Sequence, residues 1–138
     1  MDALIYDRTQ ADLVNKTEKG YHNYTDINRI EEWCGYLAEL LTSYGYVVHI
    51  TTKTDWKMTN YRKASEMERI RSNIAAIENA YAIMVSTPQL PNTLNPIDIE
   101  KANAIEKILF DINLLITNME ASFLYCGTFY SGEREGLN

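Results

Sequence analysis

The chain has 138 residues, 46% hydrophobic and 23% charged, the balance of one globular domain and not of a disordered or fibrous chain. A net charge of −6, from 13 Lys+Arg against 19 Asp+Glu, argues against the clustered basic surface that nucleic-acid binding requires. No run reaches the ~18 apolar residues of a membrane span, and residues 1–6 lack the basic and apolar regions of a signal peptide, so a soluble protein made in the cytoplasm is expected.

Thr9-Gln10-Ala11-Asp12 reads as an N-cap with an acid at the third helical position. It opens a short helix to about Lys19, which Gly20 ends. Tyr24-Thr25-Asp26 offers caps for a second helix through Leu41, and Gly45 stops it. Residues 46–52, β-branched and aromatic, form a strand candidate. Ser65-Glu66-Met67-Glu68 is a capping box opening a third helix to about Met84. Pro88 and Pro91 make residues 86–95 an irregular connection. Asn95-Pro96-Ile97-Asp98 then starts a fourth helix running to about Phe123, with Asn at the cap and Pro at the first helical position. Residues 124–130, with Gly127 among them, are a second strand candidate, and residues 2–6 a third. The expected fold is mainly α, a three- to four-helix bundle with a small β accessory. It forms one domain over residues 1–138, with an N-terminal arm (1–20) and a C-terminal β or tail segment (124–138).

Three helices carry a similar phrase: Asn28-Arg29-Ile30-Glu31, Glu68-Arg69-Ile70-Arg71 and Asn103-Ala104-Ile105-Glu106. Registering the isoleucines aligns Ile30, Cys34, Leu37 and Leu41 with Ile70, Ile74, Ile77 and Tyr81, and with Ile105, Leu109, Ile112 and Ile116. That is one apolar stripe per helix at i, i+4, i+7, i+11, and such stripes must be buried against one another. The echo has two readings. Any amphipathic helix shows this spacing, and a duplicated cap-plus-helix unit would show it too. A bundle follows from both.

Chemistry is sparse. His22 and His49 have no second ligand at metal spacing, so no metal site is expected. Cys34 lies on the apolar stripe and reads as a buried free thiol; Cys126 precedes Gly127. The acidic pairs Glu31–Glu32, Asp98–Glu100 and Glu133–Glu135 read as macrodipole complements or solvated faces, not as acid–base pairs. No phosphate-binding loop, dinucleotide fingerprint or nucleophile elbow is present, and the chain is read as a non-enzyme without cofactors. Ten tyrosines exceed ordinary usage and suit contact surfaces. The candidate partner-binding residues are Tyr44, Tyr46, Trp56, Tyr125, Phe129 and Tyr130, with Trp56 read as an exposed loop anchor.

The ordered phrases resemble a family of short proteins and modules from phages and prophages of Gram-positive bacteria, encoded among tail, baseplate and fibre genes. They are Asp7-Arg8-Thr9-Gln10-Ala11-Asp12, residues 20–31 (Gly20-Tyr21-His22 through Ile30-Glu31), Lys53-Thr54-Asp55-Trp56, Pro88-Gln89-Leu90-Pro91, Ala102-Asn103-Ala104-Ile105-Glu106 and Tyr130-Ser131-Gly132-Glu133. The resemblance implies a virion structural component of the tail region, working through other tail or baseplate proteins as a homo-oligomer or ring-bound subunit. It implies no nucleic acid, membrane or catalytic residue. Its alternative is a cell-wall glycan- or receptor-binding module of the same apparatus, with Trp56, Tyr21 and Tyr24 stacking on sugars. The polar motif residues Asp7, Arg8, Asp26, Asn28, Arg29, Asp55 and Asn103 are expected to be caps and buried pairs that lock loops onto the bundle, with Asp7 or Asp55 paired to Arg29.

Overall fold

The computed structural model describes residues 3–14, 24–60, 63–81, 87–94 and 98–131, the side chains of Leu13 and of residues 123–131 apart. Thr9 and Asp12 form a reciprocal capping box: Thr9 Oγ1 accepts from Asp12 N, and Asp12 Oδ2 accepts from Thr9 N. This opens α1, Gln10–Val14. The expected continuation to Lys19 lies outside the described residues. The second helix, α2, spans Tyr24–Ser43. It ends where expected, because Gly45 takes φ +94° and Tyr46 N and Gly45 N return to Leu41 O and Thr42 O. That closing pair of bonds needs a left-handed residue, which glycine supplies without strain.

Helix α3 spans Ala64–Ala80. Ser65 lies inside it instead of capping it. Lys63 is the cap residue, with extended backbone and no side-chain cap bond, while its carbonyl accepts from Met67 N. The chain leaves helix at Tyr81, short of the expected Met84. Helix α4 spans Ile99–Ser131. Its cap is Asp98, whose Oδ1 accepts from Lys101 N and whose carbonyl accepts from Ala102 N. Asn95, Pro96 and Ile97 lie outside the described residues.

The expected β accessory is absent among the described residues. Residues 124–130 are helical, carried through Gly127 as the last turns of α4. A single glycine costs a helix only about 1 kcal/mol, less than an established helix gains by continuing. Residues 46–52 and 3–6 have no regular secondary structure and pair with no strand among the described residues. A β-branched run gives extended backbone; a strand also needs a partner, and here helices stand in its place.

The three long helices run in the same direction. Arg29 of α2 meets Glu106 of α4, and Tyr44, just past α2, meets Glu120 farther along α4. Glu31 of α2 meets Arg69 of α3, while Tyr46 and Tyr81, past the ends of both, stack at 4.9 Å. Parallel neighbours require the chain to travel back between helices. It does so as extended straps that cover the grooves: residues 46–56 lie over α2 and α3, and residues 87–94 return over α3 and α4. Residues 3–9 form a third such strap, over α4 and α2.

The core is the set of registered stripes. All of Ile30, Cys34, Leu37, Leu41, Ile70, Ile74, Ile77, Ile105, Leu109, Ile112 and Ile116 are buried, and Tyr81 packs against them half-buried. Ile27, Met67, Ile108, Leu94 and Trp56 complete it. Because the helices are parallel, the aligned isoleucines of the sequence echo stand at one level of the bundle. Arg29 and Glu106, which flank two of them, meet there, as do Glu31 and Arg69.

Candidate functional site

At the end of the bundle where α2, α3 and α4 begin, two buried carboxylates each organise a strap. Glu106 is fully buried and accepts four hydrogen bonds: Ile5 N at 2.9 Å, Arg8 Nη2 at 2.6 Å, and Arg29 Nε and Nη2, both at 2.7 Å. Asp26 closes the charge balance, 2.6 Å from Arg29 Nη2 and 3.6 Å from Arg8 Nη2. Two guanidiniums and two carboxylates thus sit together, each less than 10% exposed. Burial pulls the Arg29 guanidinium down, but the bonds to Glu106 and Asp26 outweigh it and hold the group protonated, above its ordinary value.

Two residues before Ile105, Asn103 clasps the same strap by its main chain. Asn103 Nδ2 donates to Arg8 O at 2.9 Å, and Arg8 N donates to Asn103 Oδ1 at 3.1 Å. Arg8 Nη1 also donates to Ile5 O at 2.8 Å, which fixes the strap's own turn.

The second carboxylate repeats this main-chain arrangement with different side chains. Glu31 accepts Lys53 N at 2.9 Å, Trp56 Nε1 at 2.6 Å, and Arg69 Nη1 and Nη2 at 2.7 and 3.0 Å. Asn28 Nδ2 donates to Trp56 O at 2.9 Å, and Trp56 N donates to Asn28 Oδ1 at 2.8 Å. Glu66, three residues before Arg69, stands as Asp26 does before Arg29. In each clip the carboxylate takes one strap N–H, one strap side-chain N–H three residues later, and a guanidinium from a neighbouring helix. The Glu31 bonds raise Arg69 above its ordinary value despite the opposing effect of burial.

The third groove inverts the chemistry. By register, Glu68 stands where Asn28 and Asn103 do, and Arg71 where Glu31 and Glu106 do. The strap there carries Pro88 and Pro91, which have no N–H to donate. Arg71 Nε accordingly donates to Pro91 O at 2.6 Å. Acceptor and donor have changed places. The agreement of the two clips in their main-chain bonds, and of the third in position, favours the duplicated strap-and-helix unit over chance helical spacing.

The sequence-predicted residues divide plainly. Arg8, Asp26, Asn28, Arg29 and Asn103 belong to the two clips. The acids on Arg29 are Glu106 and Asp26, not Asp7 or Asp55. Asp55 is exposed and pairs with Lys53 at 2.8 Å, a bond that holds its carboxyl below the usual range; Asp7 lies exposed on the first strap. Trp56 is 3% exposed, so it is a core and clip residue, not a surface anchor. Tyr44 is half-buried with its phenol donating to Glu120, and Tyr46 is exposed. Tyr125, Phe129 and Tyr130 fall in α4, with side chains outside the description, and His22 lies outside it altogether.

Glu31, read from sequence as part of an acidic pair that complements the macrodipole or faces solvent, is buried, and Glu106 and Arg69 entered only as members of the echoed phrases, not as site residues. The signal for them is the repeated Asn-x-Ile-Glu phrase taken with its strap, Asp7-Arg8 in one copy and Asp55-Trp56 in the other. Cys34 is buried with its thiol pushed well up, first by burial and then by the Glu31 carboxylate, with Arg69 opposing. An open groove of about 550 Å³ separates α2 from residues 48–52, with Glu39, Thr42 and His49 on its walls. Among the described residues no cluster of His, Cys, Asp or Glu is placed to hold a metal ion, and no helix is long and apolar enough to cross a membrane. No protein-family model, curated protein or solved structure matches the chain.

Proposed function

We propose that this chain is a non-enzymatic structural or adaptor component of a phage tail, baseplate or tail-fibre apparatus, or of a phage-tail-like particle, acting through protein–protein contacts. The resemblance of its ordered phrases supports the reading. The observation that carries it is the saturation of Glu31 and Glu106. A carboxylate offers about four lone-pair sites, and each of these accepts four hydrogen bonds from the chain itself. Nothing is left on either acid to take a substrate proton or ligate a cation. The motif residues fasten; they do not react.

Its partners in this reading are other tail or baseplate proteins, and its place is the tail region of the virion. Tyr46 and the neighbouring Val47, 38% and 59% exposed, offer the contact surface on the outer side of the second strap. The glycan-binding alternative drew in part on an exposed Trp56, and that indole is buried against Glu31. The test is immunogold electron microscopy on particles released from an induced host culture. Label at the tail region is expected, and purified particles lacking the chain would overturn the proposal.

A further inference from the structure

We propose that the outer half of the groove between α4 and α2 is a docking site for an extended apolar segment of another protein, seated there as residues 46–50 are seated on α2 and α3. The inference goes beyond the proposed function. It rests on the internal repeat, and it names a surface separate from Tyr46 and Val47.

The second strap shows what fills such a groove. Beyond its clip at Asn28 and Glu31 it is clasped once more, because Val48 N donates to Thr42 Oγ1 at 3.1 Å. Farther out, Tyr46 stacks on Tyr81. The register that matches Asn28 with Asn103 and Glu31 with Glu106 also matches Thr42 with Thr117. The first strap does not reach Thr117. Ile5 answers to Lys53 and Arg8 to Trp56, so residue 3, where the description of that strap starts, answers to Thr51. Residues 1 and 2 answer by count to His49 and Ile50, short of Val48. Thr117 is exposed, and its hydroxyl donates to Asn113 O in its own helix at 2.8 Å. Its oxygen keeps lone pairs to accept a main-chain N–H, as Thr42 does.

The side chains around Thr117 suit a covered groove more than a solvated face. Leu114 stands where Glu39 lines the groove beside residues 48–52, and it is 38% exposed. Tyr36 lies between Arg29 and Tyr44, which both bond to α4, and it is 41% exposed. Asn113 stands where Ala38 does. It is half-buried, and its amide has no partner among the described residues. An amide is what Asn28 and Asn103 use to hold a strap's main chain. Two large apolar side chains, an amide and a hydroxyl thus continue the seat of the first strap along the same groove.

These groups define the occupant. Thr117 and Asn113 ask for main-chain N–H and C=O groups, which an extended segment offers and a helix spends on itself. Leu114 and Tyr36 ask for apolar side chains, and with Leu114 in place of Glu39 the slot lacks the carboxylate its counterpart carries. The segment enters where α2 finishes and runs toward residue 3, in the direction the second strap takes.

The probe is the acetylated and amidated peptide of residues 46–52, titrated into isotope-labelled full-length protein and followed by nuclear magnetic resonance. Saturable shifts of the backbone amides of Tyr36, Asn113, Leu114 and Thr117 are expected, with millimolar or tighter affinity. Asn113→Ala with Thr117→Val is expected to weaken binding about tenfold while the rest of the spectrum keeps its folded pattern. N-methylation of the peptide at Val48 is expected to do the same. Absence of saturable shifts at these four residues overturns the proposal. So does saturation centred on Gly35, Glu39 and Thr42, which marks exchange with the second strap. Two controls report other occupants. Shifts at Leu114 and Thr117 in free full-length Leu137→Asp protein would place the chain's own residues 132–138 in the slot. Shifts of the same amides with protein concentration would place a second copy there. Either result overturns the proposal, and neither bears on the chain's place in a particle.

Discussion

Asn28 and Asn103 hold two different straps by the same pair of bonds, side-chain amide to main-chain carbonyl and main-chain N–H to side-chain oxygen. One strap presents Trp56 and the other Arg8. The shared geometry lies in the backbone, which explains how side chains so different occupy equivalent places. Replacing either Asn by Ala leaves a strap N–H and C=O without their partners. Each substitution is expected to lower stability by about 1–3 kcal/mol, read as a shifted urea midpoint with an unchanged slope.

The two clip carboxylates differ in their surroundings, and so will their variants. Glu106→Gln removes the carboxylate that Arg8 and Arg29 share, in a cluster whose side chains are nearly inaccessible. Breaking such a buried set costs about 3–5 kcal/mol. Glu31→Gln leaves Arg69, whose side chain is 21% exposed and keeps Glu66 at 3.2 Å. Solvent and that second acid soften the loss, to about 1–3 kcal/mol. Denaturant titration of both variants is expected to rank Glu106→Gln as the more damaging, and the reverse order would contradict the geometry.

Cys34 is expected to be inert in the folded protein. Burial and the Glu31 carboxylate disfavour the thiolate, which is the reactive form. Peptide mapping after iodoacetamide treatment should find Cys34 unmodified under native conditions and alkylated in denaturant.

Tyr44 will titrate late. Its hydrogen bond to Glu120 favours the protonated phenol and raises it above the ordinary tyrosine value near 10. A group held protonated by the fold contributes stability that is full below the unfolded value and is lost as pH rises through the folded one. The phenolate absorbance removed by Tyr44→Phe should therefore appear only at strongly alkaline pH. Glu120→Gln should move it down.

The stripes make a simpler demand. Leu37 and Ile74 are fully buried, so Leu37→Ala or Ile74→Ala is expected to cost about 2–5 kcal/mol, measured by thermal or urea unfolding.

Most helix positions were legible because periodicity and caps are local. The spacing from Ile30 to Leu41 and from Ile105 to Ile116 marks a buried face wherever the helix packs, and Thr9 and Gly45 act through bonds only a few residues long. The errors also have local causes. Ser65 fits a capping box, but the cap falls two residues earlier, at Lys63. The apolar run at residues 124–130 suits strand or helix equally, and continuity with α4 decided it. Residues 46–52 have the composition of a strand, yet among the described residues no strand lies beside them.

The sequence by itself determined that this chain is helical, where its buried stripes lie, and that three phrases echo one another. Tertiary structure alone decided what the echo is for. Parallel helices place the three aligned isoleucines at one level and leave grooves that straps must cover. Only then do Arg8 and Trp56, distant in the chain from Glu106 and Glu31, come within 2.6 Å of those carboxylates. A buried charge takes its partner from whichever segment the packing brings near, and separation along the chain carries no trace of that choice.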